Sequence, residues 1–146
     1  MTKRTPERTH ERTLCIIKPD AVLRNFQESI TKDIRERGYT IVKDARLTLT
    51  RQQAEEFYGE HKDRPFFDSL CSFMTSHDII VYVLEKENAV QAWRQDIGNT
   101  DPTTEKRETL RKRYGFSKES NALHGSDSLE NAQREIAFFF PAKARP

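Results

Sequence analysis

Residues 79–84, Ile-Ile-Val-Tyr-Val-Leu, constrain the fold of this chain more than any other stretch. An unbroken run of β-branched, aromatic and aliphatic side chains has the composition of a central strand, and it is far too short to span a bilayer. The remaining apolar residues are spaced to build elements around it. Residues 12–17 read as a first strand that stops at Lys18-Pro19-Asp20, because proline removes an N–H and restricts the residue before it. Phe26, Ile30 and Ile34 mark one face of a helix closed by Gly38. Residues 39–49 return as a strand ending in the alternation Ala45, Leu47, Leu49. Thr50 and Gln53 form a capping box for a helix carrying Ala54, Phe57 and Tyr58, and a second short helix follows Pro65 with Phe66, Leu70 and Phe73. After the central strand, Val90, Trp93 and Ile97 give a further helix its buried face before Gly98. Residues 99–120 have no sustained period and read as a long functional loop. A short strand at 122–124 and a last helix to Phe140 complete the chain.

The resulting order, β-α-β-α-α-β-α-β-α, contains the split β-α-β pattern. The expected fold class is therefore α/β (α+β), a ferredoxin-like antiparallel sheet covered by helices. With 146 residues the length fits one domain able to bury a core. The expected boundaries are a flexible arm at 1–11, the domain at 12–140 and a short tail at 141–146. The N-terminal residues lack the apolar centre of a signal peptide, so a cytoplasmic chain is expected. Cys15 and Cys71 stand apart without metal-ligand spacing and read as buried thiols. A net charge of +2 does not by itself argue for nucleic acid, although Arg107, Arg111, Lys112 and Arg113 gather locally and would equally suit a polyphosphate.

Chemistry concentrates in Asn121-Ala122-Leu123-His124-Gly125-Ser126-Asp127-Ser128. One histidine and a glycine stand just before a strong helix start, where Asp127 or Ser128 can cap and Glu130 or Asn131 can return toward the cap. Leu129, Ala132, Ile136 and Phe140 recur at helical spacing behind it, with Glu135 on the flank of that stripe. The N–H groups of a helix start favour an anion. A carboxylate reaching back to an imidazole makes an oriented nucleophile or base, so His124 with Glu135 stands above the ordinary expectation for a lone histidine.

Lys18-Pro19-Asp20, His61-Lys62-Asp63-Arg64-Pro65-Phe66-Phe67, Gly98-Asn99-Thr100-Asp101-Pro102, Thr109-Leu110-Arg111 and the 121–128 block together resemble the nucleoside diphosphate kinase family, in that family's order and over nearly the whole chain. The resemblance implies transfer of the γ-phosphate of a nucleoside triphosphate to a nucleoside diphosphate, in a ping-pong cycle with Mg2+ and a phosphohistidine at His124. It implies attack by the δ nitrogen, with the ε nitrogen held by Glu135. Ser126 is placed to bond Glu135 or the incoming phosphate, a role compatible with serving the helix start. Lys18, Arg94 and Arg111 match phosphate ligands, as charge neutralisation in phosphoryl transfer requires. Thr100 resembles a hydroxyl contact to phosphate, Asn121 a ribose contact, and Tyr58 a residue near the nucleophile. Phe66 and Leu70, one turn apart, would form an apolar wall for the base without reading its edge. Mg2+ would be held mainly by phosphates and water, with Asp63 assisting through water and no direct protein ligand. His10, His61 and His77 receive no catalytic role. The resemblance also implies a homo-oligomer, a tetramer or hexamer built from dimers.

Several positions depart from the family pattern. Glu28 stands where glycine is usual, His77-Asp78 replaces Gly-Pro, Lys112-Arg113 replaces Gly-Asp, and Lys118 replaces an apolar residue. Of the basic cluster only Arg111 is expected to matter for transfer, with Lys112 and Arg113 dispensable. The rival reading is a nucleotide-binding or nucleic-acid-binding member of the same fold with little or no turnover.

Overall fold

The computed structural model describes residues 10–104, 108–117 and 120–141. The arm up to residue 9, Arg107, Lys118 and the tail from residue 142 lie outside the described residues. Four strands, β1 (His10–Ile17), β2 (Thr40–Leu47), β3 (Ile79–Glu87) and β4 (Leu123–Gly125), form one sheet in the order β2-β3-β1-β4. Every pairing is antiparallel, which is the split β-α-β arrangement. β1 and β3 are the central strands, and alternate side chains supply two separate cores. Cys15, Ile17, Ile80 and Leu84 face one, while Leu14, Ile16, Val81 and Val83 face the other. Because helices cover both faces, residues 14–17 of β1 and 79–84 of β3 form apolar runs rather than alternating with polar residues.

The first core is closed by α1 (Pro19–Leu23), α2 (Gln27–Glu36), α5 (Ala89–Ile97) and α6 (Leu110–Tyr114). The second is closed by α3 (Arg51–Phe57), α4 (Phe67–Met74) and α7 (Leu129–Phe139). The capping box at Thr50 and Gln53 is present in both directions. Two helices fall where no helix is expected from the sequence. In α1, Pro19 occupies the first turn, where its missing N–H has no partner to lose. α6 lies inside the stretch read as a loop, with the Thr109 hydroxyl accepting from the Lys112 N–H at 3.3 Å. Each has five residues, too few to display a helical period.

β1 begins at His10, two residues before its expected start, because it pairs with the polar end of β3 as far as Glu87. Glu11 is thereby recruited to the fold. Its carboxylate accepts from the Val90 N–H at 3.2 Å, supplying the first turn of α5 with an acceptor that left-handed Asn88 does not provide. Two departures from the family pattern have local explanations. Glu28 sits exposed in the first turn of α2 and is not among the residues with positive φ, so glycine is not required there. Asp78 accepts from Arg46 at 3.1 Å and from the Thr48 hydroxyl, tying the end of β2 to the start of β3.

Candidate active site

His124 is the middle residue of β4, held against Ile16 of β1. The strand is preceded by a γ-turn in which the Leu123 N–H donates to the Asn121 carbonyl at 2.9 Å and Ala122 has φ of +77°. That conformation is costly for any residue with a Cβ, and alanine carries the smallest one. It also removes residue 122 from the expected strand. Directly after His124, Gly125 lies against the indole of α5: a Cβ there would stand 2.7 Å from Trp93 Cδ1. The close approach lets the Trp93 Nε1–H donate to the His124 carbonyl at 3.1 Å.

The imidazole is fixed through its ε nitrogen. His124 Nε2 lies 2.8 Å from Glu135 Oε1, and the Ser126 hydroxyl donates to the same oxygen at 2.7 Å. Ser126 in turn accepts from the Leu14 N–H at 3.3 Å. Glu135 is only 5% exposed. Burial pushes its carboxyl up, but the hydrogen bonds from His124 and Ser126, with the charges of His124 and Arg134, outweigh burial and hold it below its ordinary range. It is therefore an acceptor at neutral pH, so Nε2 carries the ring proton and Nδ1 keeps a free lone pair. Phe57 packs against the imidazole at 5.8 Å between ring centroids.

This geometry changes the expected stripe on α7. Ala132 and Glu135 turn inward, whereas Leu129 is 46% exposed and Ile136 and Phe140 are half-buried. A helix whose innermost face includes a carboxylate cannot be read from hydrophobic spacing alone. Its start matches expectation: the Ser128 hydroxyl accepts from the Asn131 N–H at 3.1 Å, and the Asn131 amide donates back to Asp127 at 2.5 Å.

His124 opens into a cleft of about 270 Å³ whose lining includes Lys18, Tyr58, Phe66, Leu70, Arg94 and Thr100. Gly125, Asp127, Glu135 and His61 also reach it. Arg94, Thr100, Gly125 and Asp127 are shared with an adjoining cleft that adds Arg111. Lys18 is buried and donates from Nζ to Asn121 Oδ1 at 2.9 Å, while the Asn121 amide donates to the Thr100 carbonyl at 2.9 Å. Asn121 thus braces Lys18 and Thr100 from behind the cleft wall. Phe66 is 48% exposed, meets the His61 ring in a tilted contact at 5.6 Å between centroids, and accepts through its carbonyl from the Leu70 N–H. Asp63 is exposed outside the cleft lining.

Among the described residues lining the two clefts, two buried side-chain donors have no hydrogen-bond partner: the Tyr58 hydroxyl and Arg111 Nε. Burial, and then the charge on Glu135, push the Tyr58 phenol far above its ordinary value, so it stays a neutral donor. Arg111 donates to the carbonyls of Gly98 at 3.1 Å and Leu123 at 2.9 Å. Gly98 is required there: φ is +84°, and a Cβ would meet the Thr109 side chain at 2.5 Å. Burial and the neighbouring charge of Arg94 push the Arg111 guanidinium down to about 10, so it remains charged at neutral pH. Two guanidinium groups facing one cleft, with neutral carbonyls as the partners of the buried one, make a site suited to an anion.

Of the residues singled out in the sequence, Lys18, Tyr58, Phe66, Leu70, Arg94, Thr100, His124 and Glu135 line this cleft and Arg111 the adjoining one, whereas Asn121 and Ser126 are buried behind the wall. The sequence does not mark Trp93, Gly125, Phe57 or the backbone of Leu14 as supports of the histidine. The basic cluster is also less available than its composition suggests, because Arg113 is paired with Asp33 and Glu108 at 3.2 Å each.

Comparison with known proteins agrees with this geometry. Residues 11–144 match the family model described as nucleoside diphosphate kinase. Nucleoside diphosphate kinase from Persephonella marina is 49% identical over 130 residues, covering 89% of this chain and 93% of that protein. The enzyme from Wolbachia pipientis is 52% identical over 130 residues, covering 89% and 94%. Among solved structures, Aquifex aeolicus nucleoside diphosphate kinase superposes with a TM-score of 0.87 at 39% identity, covering 90% of this chain and 95% of that one. The Encephalitozoon cuniculi enzyme gives 0.87 at 32% identity, covering 93% and 92%.

Proposed function

The chain belongs to the nucleoside diphosphate kinase family, phosphotransferases that work through a phosphohistidine, and from that premise we propose that His124 Nδ1 is the nucleophile and Glu135 its orienter. The observation that carries this assignment is the 2.8 Å contact between His124 Nε2 and a buried carboxylate, which leaves Nδ1 as the basic nitrogen. In the first half-reaction Nδ1 attacks the γ-phosphorus of a nucleoside triphosphate, and the bond from phosphorus to the β-bridging oxygen breaks. The nucleoside diphosphate departs with that electron pair. In the second, the terminal oxygen of another diphosphate attacks the phosphohistidine and the N–P bond breaks, returning the lone pair to Nδ1.

The surrounding residues neutralise and position. Lys18, Arg94 and Arg111 meet phosphate oxygens from three separate elements, where charge spreads in the transition state. The Tyr58 and Thr100 hydroxyls donate to the same region. Ser126 holds Glu135, and Phe66 with Leu70 offers an apolar wall that accepts any base. Asn121 presents Lys18 toward the sugar and phosphates.

Magnesium would arrive on the nucleotide, held mainly by phosphate oxygens and water; among the described residues no group of three or more His, Cys, Asp or Glu could hold a metal ion. Asp127, at the cleft rim, is kept anionic by its hydrogen bond from Asn131, so its carboxylate would meet the water shell of such an ion. Bound magnesium would neutralise phosphate oxygens. No described helix is long and apolar enough to cross a membrane.

The proposal is tested by steady-state exchange between ATP and a second diphosphate. Parallel double-reciprocal lines support a covalent enzyme intermediate, whereas intersecting lines contradict it.

A further inference from the structure

α6 carries Arg111, yet it has five residues and is too short to be stable by itself. It also faces a like charge, since Arg94 of α5 lines the same cleft as Arg111 and adds to the burial that lowers the Arg111 guanidinium. Without an anion between them, these two cations repel each other across the cleft. Arg111 itself is held by the carbonyls of Gly98 and Leu123, and the ionic and aromatic contacts that fasten the rest of α6 come from the segment that includes α1 and α2. The Asp33 carboxylate of α2, with a side chain only 14% exposed, accepts from Tyr114 Oη at 2.7 Å and from Arg113 Nη1 at 3.2 Å through the same oxygen. Beside it the Phe26 and Tyr114 rings stand 5.3 Å apart, and Arg24 lies 5.0 Å over the ring of Phe116.

We propose that Asp33 is a positioning residue for nucleotide binding, acting through Arg113 and Tyr114 to hold α6 where Arg111 faces the phosphates. This inference rests on the phosphate-binding role proposed above. It revises the expectation that Arg113 is dispensable: its guanidinium points away from the cleft and fastens the helix that carries the phosphate ligand. The latch acts before the nucleotide arrives. Once a phosphate lies between Arg94 and Arg111, their repulsion is replaced by attraction to a common anion, and the ligand itself holds α6. Losing Asp33 therefore lowers the fraction of molecules ready to bind and weakens apparent affinity in proportion. Turnover at saturation changes little.

The test is calorimetric titration of the purified full chain with Mg-ADP, alongside kcat and KM for exchange. Asp33→Ala and Arg113→Ala should each weaken ADP binding about three- to tenfold, with kcat within about twofold of wild type. The charge swap Asp33→Arg/Arg113→Asp should recover much of that loss. Arg113→Ala removes an exposed side chain, so the proposal stays falsifiable if Asp33→Ala folds poorly. Glu108→Ala is the control for the other partner of Arg113 and should bind ADP like wild type. Unchanged ADP affinity in Arg113→Ala, a swap no better than the single variants, or a Glu108→Ala loss equal to that of Arg113→Ala would overturn the latch. So would a fall in kcat and Tm without a change in affinity, which would mark Asp33 as structural only. A wild-type chain that binds ADP but forms no phosphohistidine would instead overturn the nucleophile assignment, while the titration still reads the latch.

Discussion

The two walls of the cleft are built on opposite principles. On the β1–β4–α7 side the groups that hold the His124 ring are paired in a chain: Glu135 accepts from the imidazole and from Ser126, and Ser126 accepts from Leu14. The α5–α6 side brings together two guanidinium groups that repel each other, and it leaves Arg111 Nε without a partner. The first wall is complete before substrate arrives, as an oriented nucleophile requires. The second becomes complete only when an anion enters. A satisfied network fixes geometry, whereas an unsatisfied one confers affinity.

Substitutions in the two walls should therefore differ in size and in kind. The largest effect belongs to His124→Ala, which should abolish exchange while leaving Tm close to wild type, because the side chain is partly exposed to the cleft. Exchange assays with thermal unfolding on the same preparation decide it, and retained turnover would break the assignment. Arg111→Ala comes next. It removes a buried cation from the transition state, so kcat/KM should fall about 10²- to 10³-fold, whereas Lys112→Ala should stay near wild type. Equal losses in the two would place the phosphate ligand elsewhere.

Glu135→Gln should cost roughly ten- to hundredfold in kcat, because an amide still accepts one hydrogen bond but does not stabilise positive charge on the ring. The same carboxyl sets an acid limit. Its folded-state value lies below the ordinary 4.5, so the stability it contributes is fully present above 4.5 and is lost as pH falls through the depressed value. Unfolding free energy measured between pH 6 and 3 (about the range that brackets this titration) should fall less steeply in Glu135→Gln than in wild type. Identical slopes would show that Glu135 is not the linked group. The smallest effect is predicted for Phe66→Ala, which removes part of an exposed stacking wall and should raise KM by about 1 kcal/mol equivalent for all four bases alike. A loss confined to one base would reveal a reading contact that an apolar wall does not supply.

Much of the fold was legible because it rests on periodicity: the strand at 79–84, the helix of Val90, Trp93 and Ile97, and the capping box at Thr50 all lie where spacing and caps put them. α1 and α6 were not legible, since five residues carry no period. The stripe on α7 misled for a chemical reason: the site needs a carboxylate inside, so Glu135 is buried while Leu129 is exposed. Within the site, His124 and Glu135 were readable from one short segment and its family resemblance. The supports were not, because they come from far along the chain: Leu14 is 112 residues from Ser126, and Trp93 is 31 from His124. Such contacts are set by sheet register and by the room Gly125 leaves for the indole, neither of which leaves a local pattern.

The central claim, that His124 Nδ1 carries the phosphoryl group, is tested most directly by incubating the chain with γ-labelled ATP and magnesium and isolating the protein. The predicted result is a covalent label that is lost in acid, survives in base, is discharged by added diphosphate to give labelled triphosphate, and is absent from His124→Ala. A wild-type chain that catalyses exchange without becoming labelled, or a label that persists in His124→Ala, would contradict it.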